Sequence, residues 1–393
     1  MQSRMHPKYY VCPEVFDREQ RKIFRKLWLF AGLKTLLGEH NRFITRKIAG
    51  IPVVIQNFHG ELHAFENVCL HRSAPLQTEP VGRRPLVCAY HGWKYDAAGQ
   101  VGNIPHCDAL YRFGDAEKQS LKLREFALRT VGNLLFVNLD ADPFPLEEQF
   151  SPAFLASLES SSGTYDGEVM VTTWQCRFNW KLPYENLRDT NHVAYVHPRS
   201  LAPLVRFDFH IPQADIDESL CALPDTGPAA LRREIQRYSV GGAPEGRFDH
   251  PLASYEWHGN VERWRASATS GADPRTDDAN FNWLAYPNIH IASGDGGHSF
   301  TIEHHIPVAP DRTDVEVYYL TARKKQPYAT SAQVLLSSMH AGQRILKEDY
   351  DILEGVQSVL HPSAPLPTQG AYESTNRLVE RWYTALMESD HGL

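Results

Sequence analysis

Short apolar runs separated by turn residues fill the first part of the chain. They are FITRKI (43–48), IPVVIQ (51–56), LHAFENV (62–68), LVCAY (86–90) and LLFVNL (134–139). Runs of this length, rich in β-branched and aromatic residues and bounded by glycine-containing turns, predict β-strands. Their spacing over roughly one hundred residues predicts a small antiparallel β domain.

Two segments have the three- and four-residue apolar spacing of an amphipathic helix. One is DREQRKIFRKLWLFA (17–31), in which Asp17 is a candidate N-cap and Gln20 its capping-box partner. The other, 331–359, predicts one long helix. We expect each helix to pack an apolar face on a core.

A passage rich in Pro, Ser, Asp and Gly (140–166) predicts a linker to a second domain. Beyond it, the segments 172–180, 300–308 and 315–322 have strand character, and 181–197 has helical character. The second domain is therefore predicted to combine an antiparallel sheet with helices. The predicted fold class is α+β.

Composition and charge narrow the function classes. The chain has 393 residues, 42% hydrophobic content and a net charge of −7. Two or three globular domains fit this length, and the lack of a basic run gives nucleic-acid binding little support. The sequence has no secretory signal and no run of eighteen apolar residues, so we expect a cytoplasmic protein without a membrane span. Its six cysteines are then available to metal rather than to disulfides.

Cysteine and histidine occur together in a paired motif, CLH (69–71) and CAYH (88–91), with sixteen residues between the halves. Two thiolates and two imidazoles suit a closed zinc site. They also suit a Rieske [2Fe–2S] centre, in which two histidines replace two cysteines on one iron. Chance placement in ordinary packing is the third alternative, but the order of the two halves argues against it.

A second metal motif lies in the helical segment 181–197, where Asp189, His192 and His197 form D-x-x-H-x-x-x-x-H. Asp189 and His192 share a helix face, whereas His192 and His197 differ by roughly 140° on a straight helix. Pro198 disfavours helical geometry at His197, so that ring is free to turn inward. Two histidines and a carboxylate make a facial triad that binds Fe(II) with open positions. The alternative is a helix with two structural histidines.

These segments resemble the metal-binding parts of one family. CLHR (69–72) and CAYHGWKYDAAG (88–99) resemble the cluster-binding loops of Rieske-type non-haem iron ring-hydroxylating oxygenases, in their alpha (oxygenase) subunit. NWKLPYENLRDTNHVAYVH (179–197) resembles the iron-binding segment of that subunit, and KEDYDILEGVQ (347–357) more weakly resembles its late helix. Residues 200–300, where the substrate pocket should largely be built, resemble nothing usable.

The resemblance implies two metal centres, a [2Fe–2S] Rieske cluster and a mononuclear Fe(II). At the cluster, Cys69 and Cys88 would bind one iron, and His71 and His91 would bind the other. The resemblance thus favours iron and sulfide over zinc for the first motif.

At the mononuclear iron, the resemblance implies that His192, His197 and Asp349 are the ligands. Glu348 and Asp351 are the competing carboxylates. On a helix Glu348 and Asp349 face about 100° apart, so only one of them can point at the iron. Without the family pattern, this acidic run would be interpreted as a solvated helix face.

Asp189 has a different implied role, as a catalytic bridge rather than a ligand. It would hydrogen-bond His192 on one side and His91 of the partner subunit on the other, which implies a homotrimer with electron transfer between chains. Family members that act on quaternary amines often have Glu at this position. Asp189 therefore favours an aromatic or heterocyclic substrate.

The resemblance also implies a domain organisation and an activity. Residues 1–41 would form an N-terminal helical segment packing on the catalytic domain, 42–150 a Rieske domain, and 151–393 a catalytic domain of helix-grip type. The implied activity is O₂-dependent hydroxylation, dihydroxylation or oxidative demethylation of a small molecule. NADH or NADPH would supply electrons through a reductase or ferredoxin. The alternatives are the same chemistry on a quaternary amine, a Rieske electron carrier, and a zinc-stabilised binding module.

Aromatic and basic residues of the second domain are candidates for the substrate pocket. Aromatic rings could line an aromatic pocket or cage a cation, and arginines could anchor a carboxylate. Plain core packing and solvent exposure are the respective alternatives. The candidates are Trp257, Trp264, Trp283, Tyr286, Arg199 and Arg206.

Overall fold

A computed structural model describes residues 2–189, 191–202, 227–235, 281–293, 299–322, 331–370, 373–390 and 393. The chain divides into two compact units, each with its own sheet. One unit is Phe24–Pro143, and the other combines Met1–Ile23 with Phe144–Leu393. The domain boundaries expected from the sequence, at 41/42 and 150/151, stay a prediction. Within the described residues, no helix is both long enough and apolar enough to cross a membrane.

The strands and helices of the described residues have the following bounds. The strands are β1 (Leu29–Leu33), β2 (Arg42–Ile48), β3 (Ile51–Phe58), β4 (Glu61–Glu66), β5 (Val81–Arg83), β6 (Lys94–Tyr95), β7 (Val101–Asn103), β8 (Glu125–Val131), β9 (Leu134–Asn138), β10 (Tyr165–Cys176), β11 (Phe281–Ala285), β12 (Ile289–Ser293), β13 (Ser299–Ala309) and β14 (Arg312–Ala322). The helices are α1 (Lys8–Val11), α2 (Pro13–Glu19), α3 (Asp115–Ser120), α4 (Leu146–Gln149), α5 (Pro152–Ser162), α6 (Lys181–Asn186), α7 (Val193–Val196), α8 (Pro228–Ile235), α9 (Ser331–Val359) and α10 (Ser374–Glu388).

In the unit Phe24–Pro143, seven strands form one antiparallel sheet in the order β1-β9-β8-β4-β3-β2-β5, and β6 pairs with β7. The predicted small antiparallel β domain is thereby confirmed. The predicted strand at 86–90 is wrong, because Val87 makes only an isolated bridge to Lys94. The amide of Cys88 instead donates to the Trp93 carbonyl at 2.9 Å, which closes a turn around the second half of the cysteine–histidine motif.

The predicted helix 17–31 is also placed wrongly. Helix α2 begins four residues earlier, with Pro13 in its first turn, where the missing N–H costs nothing. A π-helical turn carries it to Phe24, so Asp17 lies inside the helix and does not cap it. Residues 29–33 form β1, paired with β9. All five are buried, and a continuous apolar run covered on both faces suits a strand better than a helix with one apolar side.

The predicted linker 140–166 contains regular structure. It includes α4, α5 and the start of β10. The hydroxyl of Ser151 accepts a 3.2 Å hydrogen bond from the Phe154 amide and so caps α5. The serines and prolines of this passage therefore mark helix starts as well as loops.

The second unit has five strands in the described residues, in the antiparallel order β10-β14-β13-β12-β11. The long helix predicted at 331–359 is present as α9 with those bounds. It packs on β10, β13 and β14. The expected α+β combination of an antiparallel sheet with helices is confirmed for the described residues.

A buried ion pair fixes the start of α6, the helix that leads into the second metal motif. The Nζ of Lys181 lies 2.6 Å from Oε1 of Glu19, and both side chains are almost fully buried. Burial lowers the pKa of Lys181, and the Glu19 carboxylate opposes that shift. The indole N–H of Trp180 and the hydroxyl of Tyr383 also donate to Glu19. The N-terminal segment, α6 and α10 therefore meet at one carboxylate.

We expect Lys181→Ala to lower the free energy of unfolding by about 3–5 kcal/mol, because the variant leaves the Glu19 carboxylate buried without its counter-charge. Denaturant unfolding followed by tryptophan fluorescence measures the change. The matched control is Lys347→Ala, which removes an exposed pair with Asp351 at 2.6 Å and should cost less than about 1 kcal/mol. Equal costs for the two variants would contradict the importance of burial at Lys181.

Candidate metal centres

The first cysteine–histidine set is presented by two tight turns in the unit Phe24–Pro143. In the first turn, the Cys69 amide donates to the Ala74 carbonyl at 2.8 Å, and the Ser73 amide donates to the Cys69 carbonyl at 3.0 Å. In the second turn, Gly92 has φ +74°, and a Cβ there would lie 3.0 Å from the Pro105 ring. Both observations favour glycine at that position. The backbone thus curls around each cysteine.

The four side chains of this set converge. The Nδ1 atoms of His71 and His91 lie 3.1 Å apart. Burial raises the pKa of the Cys69 thiol, and the neighbouring Cys88 raises it further, although Tyr95 opposes the shift. Burial and the adjacent His91 lower the pKa of His71, which favours the neutral imidazole that a metal requires. Two buried sulfurs and two converging Nδ1 atoms fit a two-thiolate, two-imidazole metal group.

Aromatic side chains that the sequence did not single out support these ligands. The Tyr95 hydroxyl lies 3.3 Å from the Cys69 sulfur and accepts a 3.0 Å hydrogen bond from the Leu70 amide. Trp93 stacks on His71 with ring centroids 5.0 Å apart, and Tyr111 meets the same ring edge-on at 5.3 Å. Trp93 and Tyr95 lie in the segment 88–99 that resembles a cluster-binding loop. Their alternation with polar neighbours is the sequence signal that could have indicated a supporting role.

The second set lies at the two ends of α7 and on α9, within one unit. The segment 181–197 is not a single helix, because α6 ends at Asn186 and α7 spans only Val193–Val196. His192 precedes α7, and His197 follows it with φ −115° and ψ 41°. The expectation that the helix ends at His197, before Pro198, therefore agrees with the structure.

Three side chains of this set share one small volume. A ligand atom from each of His192, His197 and Asp349 lies within 4.8 Å of the other two. Oδ1 of Asp349 is 2.9 Å from Nε2 of His197 and 3.5 Å from Nε2 of His192. Their side chains are 12%, 1% and 14% exposed for Asp349, His197 and His192. Two imidazoles and one carboxylate are the donor set of a facial triad.

The two competing carboxylates have other partners. Oε2 of Glu348 lies 2.8 Å from Nδ1 of His197, on the far side of that ring from Asp349. Asp351 is 64% exposed and pairs with Lys347. Helix geometry thus separates the acids, and of the three only Asp349 contacts the Nε2 atoms of both histidines.

Hydrogen bonds and burial set the charge of this group. Burial alone would raise the pKa of Asp349, but His192, His197 and the side-chain amide of Asn186 lower it overall. The Asn186 Nδ2 donates to Asp349 Oδ1 at 2.9 Å, a contact that the sequence did not indicate. Burial lowers the pKa of His197, and Asp349 and Glu348 outweigh this and raise it. An ionised carboxylate next to two imidazoles is a set that a divalent cation can occupy.

Asp189 lies beside the set without joining it. Its Oδ2 is 4.0 Å from Nδ1 of His192, which is too long for a hydrogen bond. Its Oδ1 accepts a 2.8 Å hydrogen bond from the Asn191 amide. Nδ1 of His192 is buried and has no hydrogen-bond partner within the described residues.

The residues predicted from the sequence to line the substrate pocket differ in their burial. Trp283 and Tyr286 are buried, and Tyr286 packs against Tyr184 in an aromatic cluster. Arg199 is exposed, which agrees with the plain alternative for an arginine. Three candidates lie outside the described residues, namely Trp257, Trp264 and Arg206.

Family models match most of the chain. Residues 28–121 match the Rieske [2Fe–2S] domain, and residues 160–389 match the catalytic domain of the ring-hydroxylating alpha subunit. The first match contains the cysteine–histidine set, and the second contains the two histidines and Asp349.

Individual relatives and solved structures agree with these matches. The glycine betaine monooxygenase oxygenase subunit of Pseudomonas aeruginosa is 32% identical over 53% of this chain and 49% of its own length. The anthranilate 1,2-dioxygenase large subunit of Acinetobacter baylyi is 31% identical over 47% of this chain and 40% of its own. The chain thus spans about half the length of the curated relatives it matches.

Among solved structures, naphthalene 1,2-dioxygenase from Rhodococcus superposes with a TM-score of 0.68 at 17% identity, covering 98% of this chain and 95% of the other. A quaternary ammonium Rieske monooxygenase in complex with L-carnitine gives 0.67 at 18% identity, covering 99% and 96%. These likenesses establish a shared fold. Since the catalytic-domain model alone matches more than half of its residues, the chain belongs to the ring-hydroxylating alpha subunit family, with a Rieske [2Fe–2S] domain in its first part.

Proposed function

We propose that this chain is the oxygenase subunit of a Rieske-type non-haem iron oxygenase. It would use O₂ and electrons from a reductase or ferredoxin to hydroxylate, dihydroxylate or oxidatively demethylate a small molecule. One observation carries the proposal: a two-cysteine, two-histidine set and a two-histidine, one-carboxylate set occur in the same chain. An electron carrier requires only the first set, and a zinc-stabilised module gives the second no role.

Cys69 and Cys88 are proposed to hold one iron of a [2Fe–2S] cluster, and His71 and His91 the other. The buried thiols suit the iron that is shielded from water, and the partly exposed imidazoles suit the iron nearer the surface. When bound, the cluster supplies electrons singly, at a potential that imidazole ligation raises. Trp93 keeps the His71 ring in place by stacking on it.

His192, His197 and Asp349 are proposed to hold the mononuclear iron. When bound, Fe(II) in such a set supplies open positions at which O₂ is activated. The chain's own residues prepare that set: Asn186 orients the Asp349 carboxylate, and burial of His197 keeps its ring from bulk water. The three ligand side chains would therefore be preorganised for the cation.

Asp189 is proposed to connect the iron site with the cluster of a neighbouring chain, in a homotrimer. Nδ1 of His192 has no hydrogen-bond partner within the part of the chain that the structure describes, and the Asp189 carboxylate proposed as its acceptor is 4.0 Å away. Its side chain is 26% exposed, so a donor from another chain, proposed here as His91 of the partner subunit, can reach it. In this role the Asp189 carboxylate would accept hydrogen bonds from His192 and from the partner subunit's His91.

Two substrate classes remain for the test. The aspartate at position 189 favours an aromatic or heterocyclic substrate, as expected from the resemblance. Quaternary amines are the second candidate, because relatives named for glycine betaine and carnitine match about half of this chain. We also propose a cytoplasmic location, because the cysteines of the described residues form no disulfide, as is usual for proteins of a reducing compartment.

We expect the purified chain to contain about three irons and two acid-labile sulfides, as one [2Fe–2S] cluster and one iron require. With NADH, a surrogate reductase and ferredoxin, it should consume O₂ and oxidise one member of a panel of aromatic acids, methoxyarenes, heterocycles and quaternary amines. Metal and sulfide analysis and mass spectrometry of products are the measurements. Two irons without turnover would indicate an electron carrier, and zinc without sulfide would indicate a binding module.

The choice of carboxylate is tested by Asp349→Ala. We expect loss of the mononuclear iron and of all product, with an unchanged visible spectrum of the cluster, because only the second donor set is broken. Asp351→Ala is the matched control, since Asp351 lies on the same helix but is exposed, and it should behave like the wild type. Iron retention in Asp349→Ala together with iron loss in Asp351→Ala would overturn the assignment.

Asp189→Asn tests the bridge. The variant should keep the cluster and most of the mononuclear iron, because Asp189 contacts no metal in this proposal. The variant should make little or no product. Loss of a carboxylate partner of a metal-bound histidine usually costs about 10–100-fold, and Asp189 would in addition connect two irons in different chains. Rapid mixing with reduced ferredoxin, followed at the cluster absorption and by product analysis, separates cluster reduction from turnover.

Mixed trimers supply the control for transfer between chains. His192→Ala chains and Cys88→Ala chains should each be inactive alone, and subunit exchange between them should restore part of the activity. Mixed trimers that form, as detected by native mass spectrometry, yet remain inactive would exclude electron transfer across the subunit boundary. Near-normal turnover by Asp189→Asn would show that Asp189 has no role in electron transfer.

A further inference from the structure

Two consecutive residues of α9 hold the two nitrogens of one imidazole. Asp349 Oδ1 lies 2.9 Å from Nε2 of His197, and Glu348 Oε2 lies 2.8 Å from Nδ1 of the same ring. Neighbouring side chains on a helix diverge by about 100°. The His197 ring is therefore clamped between two carboxylates that approach it from opposite sides.

Glu348 is itself held in place. The Ser200 hydroxyl donates a short hydrogen bond to Oε2 of Glu348, the oxygen that faces His197. The carboxylate is 31% exposed, whereas the ring it contacts is 1% exposed. Because the Glu348 carboxylate is partly solvated, keeping it ionised costs little free energy. Because the His197 ring is buried, water cannot replace Glu348 as the hydrogen-bond acceptor of the ring N–H.

A histidine binds a metal through the nitrogen that carries the lone pair, and the hydrogen bond made by the other nitrogen decides which one that is. We propose that Glu348 is a positioning residue: it accepts the Nδ1–H of His197 and thereby directs the Nε2 lone pair toward the iron. Ser200 keeps the accepting oxygen in that position. This inference rests on the proposed mononuclear iron site. In it, Glu348 orients an iron ligand and does not itself compete with Asp349 for the iron.

The two histidines of the set are consequently held by different means. His197 has its acceptor within its own chain, 2.8 Å away. Nδ1 of His192 has no partner among the described residues, and Asp189 is at 4.0 Å. Metal affinity of the isolated chain should thus depend on Glu348, and turnover of the assembly on Asp189.

The test is anaerobic Fe(II) titration of protein that holds the cluster but has been depleted of mononuclear iron. The dissociation constant and the paramagnetic resonance spectrum of the iron–nitric oxide adduct are the readouts. Glu348→Ala should weaken Fe(II) binding about 10–100-fold and broaden the adduct spectrum, because the ring loses its fixed orientation. Glu348→Gln should bind nearly as the wild type, because its amide oxygen still accepts the Nδ1–H.

Asp351→Ala, on the same helix and exposed, is the matched control and should leave both readouts unchanged. Ser200→Ala should weaken binding less than Glu348→Ala and serves as the second variant if Glu348→Ala fails to fold. Wild-type affinity in both Glu348→Ala and Ser200→Ala would overturn the inference, as would equal losses in Glu348→Gln and Glu348→Ala. A wild-type chain that binds no Fe(II) at this site would instead overturn the proposed function, and the inference with it.

Discussion

The packing of α9 on the five-stranded sheet is the constraint on which the second metal set depends, because it holds Asp349 beside two histidines more than 150 residues earlier. Two buried polar contacts pin the helix along its length. The Tyr350 hydroxyl donates to Glu303 on β13 at 3.1 Å, and Gln357 accepts from the Asn179 amide at 2.9 Å. Apolar packing would tolerate a small slide of the helix, whereas directional hydrogen bonds fix its register.

Glu303 shows how this unit keeps charge in its interior. Burial would raise the pKa of its carboxyl, but His290 and His305 hold that pKa well below its usual range. His290 lies 2.7 Å away on the neighbouring strand. A buried carboxylate is stable only with such partners, so the sheet under α9 carries a carboxylate that neighbouring histidines hold in place. Polar contacts here set geometry, and the surrounding apolar core provides the larger part of the stability.

The sequence predicted several strands and the long helix correctly, but it placed one helix and one strand wrongly. The strands at 43–48 and 51–56 follow from short runs rich in β-branched residues that end at turns, and the helix at 331–359 follows from the three- and four-residue spacing of its apolar positions. The helix at 17–31 failed at its end because Leu29–Leu33 pairs with β9, a strand about one hundred residues later, and a local pattern does not show such a pairing. The strand at 86–90 failed because the chain turns at Cys88, whose amide donates to the Trp93 carbonyl, and an apolar run does not reveal such a turn.

For the metal sites, spacing alone located the cysteines and histidines but left the alternatives open. Asp349 came from a family resemblance, since an acid on a long helix carries no local mark of function. The amide of Asn186 and the hydroxyl of Ser200 were missed for the same reason. Their importance lies in contacts over distances of 148 to 163 residues in the chain, which no local pattern encodes.

The adjacency of Glu348 and Asp349 limits how this protein can change over evolution. Both carboxylates reach one imidazole from a single helix, and each inserted or deleted residue turns everything on one side of it by about 100° relative to the other. Tyr350 contacts the sheet, so a residue inserted or deleted between it and these acids would turn a carboxylate away from His197. A residue inserted or deleted earlier in α9 can be accommodated only by moving the start of the helix. Surface loops can change length at little cost, whereas the middle of this helix keeps its length.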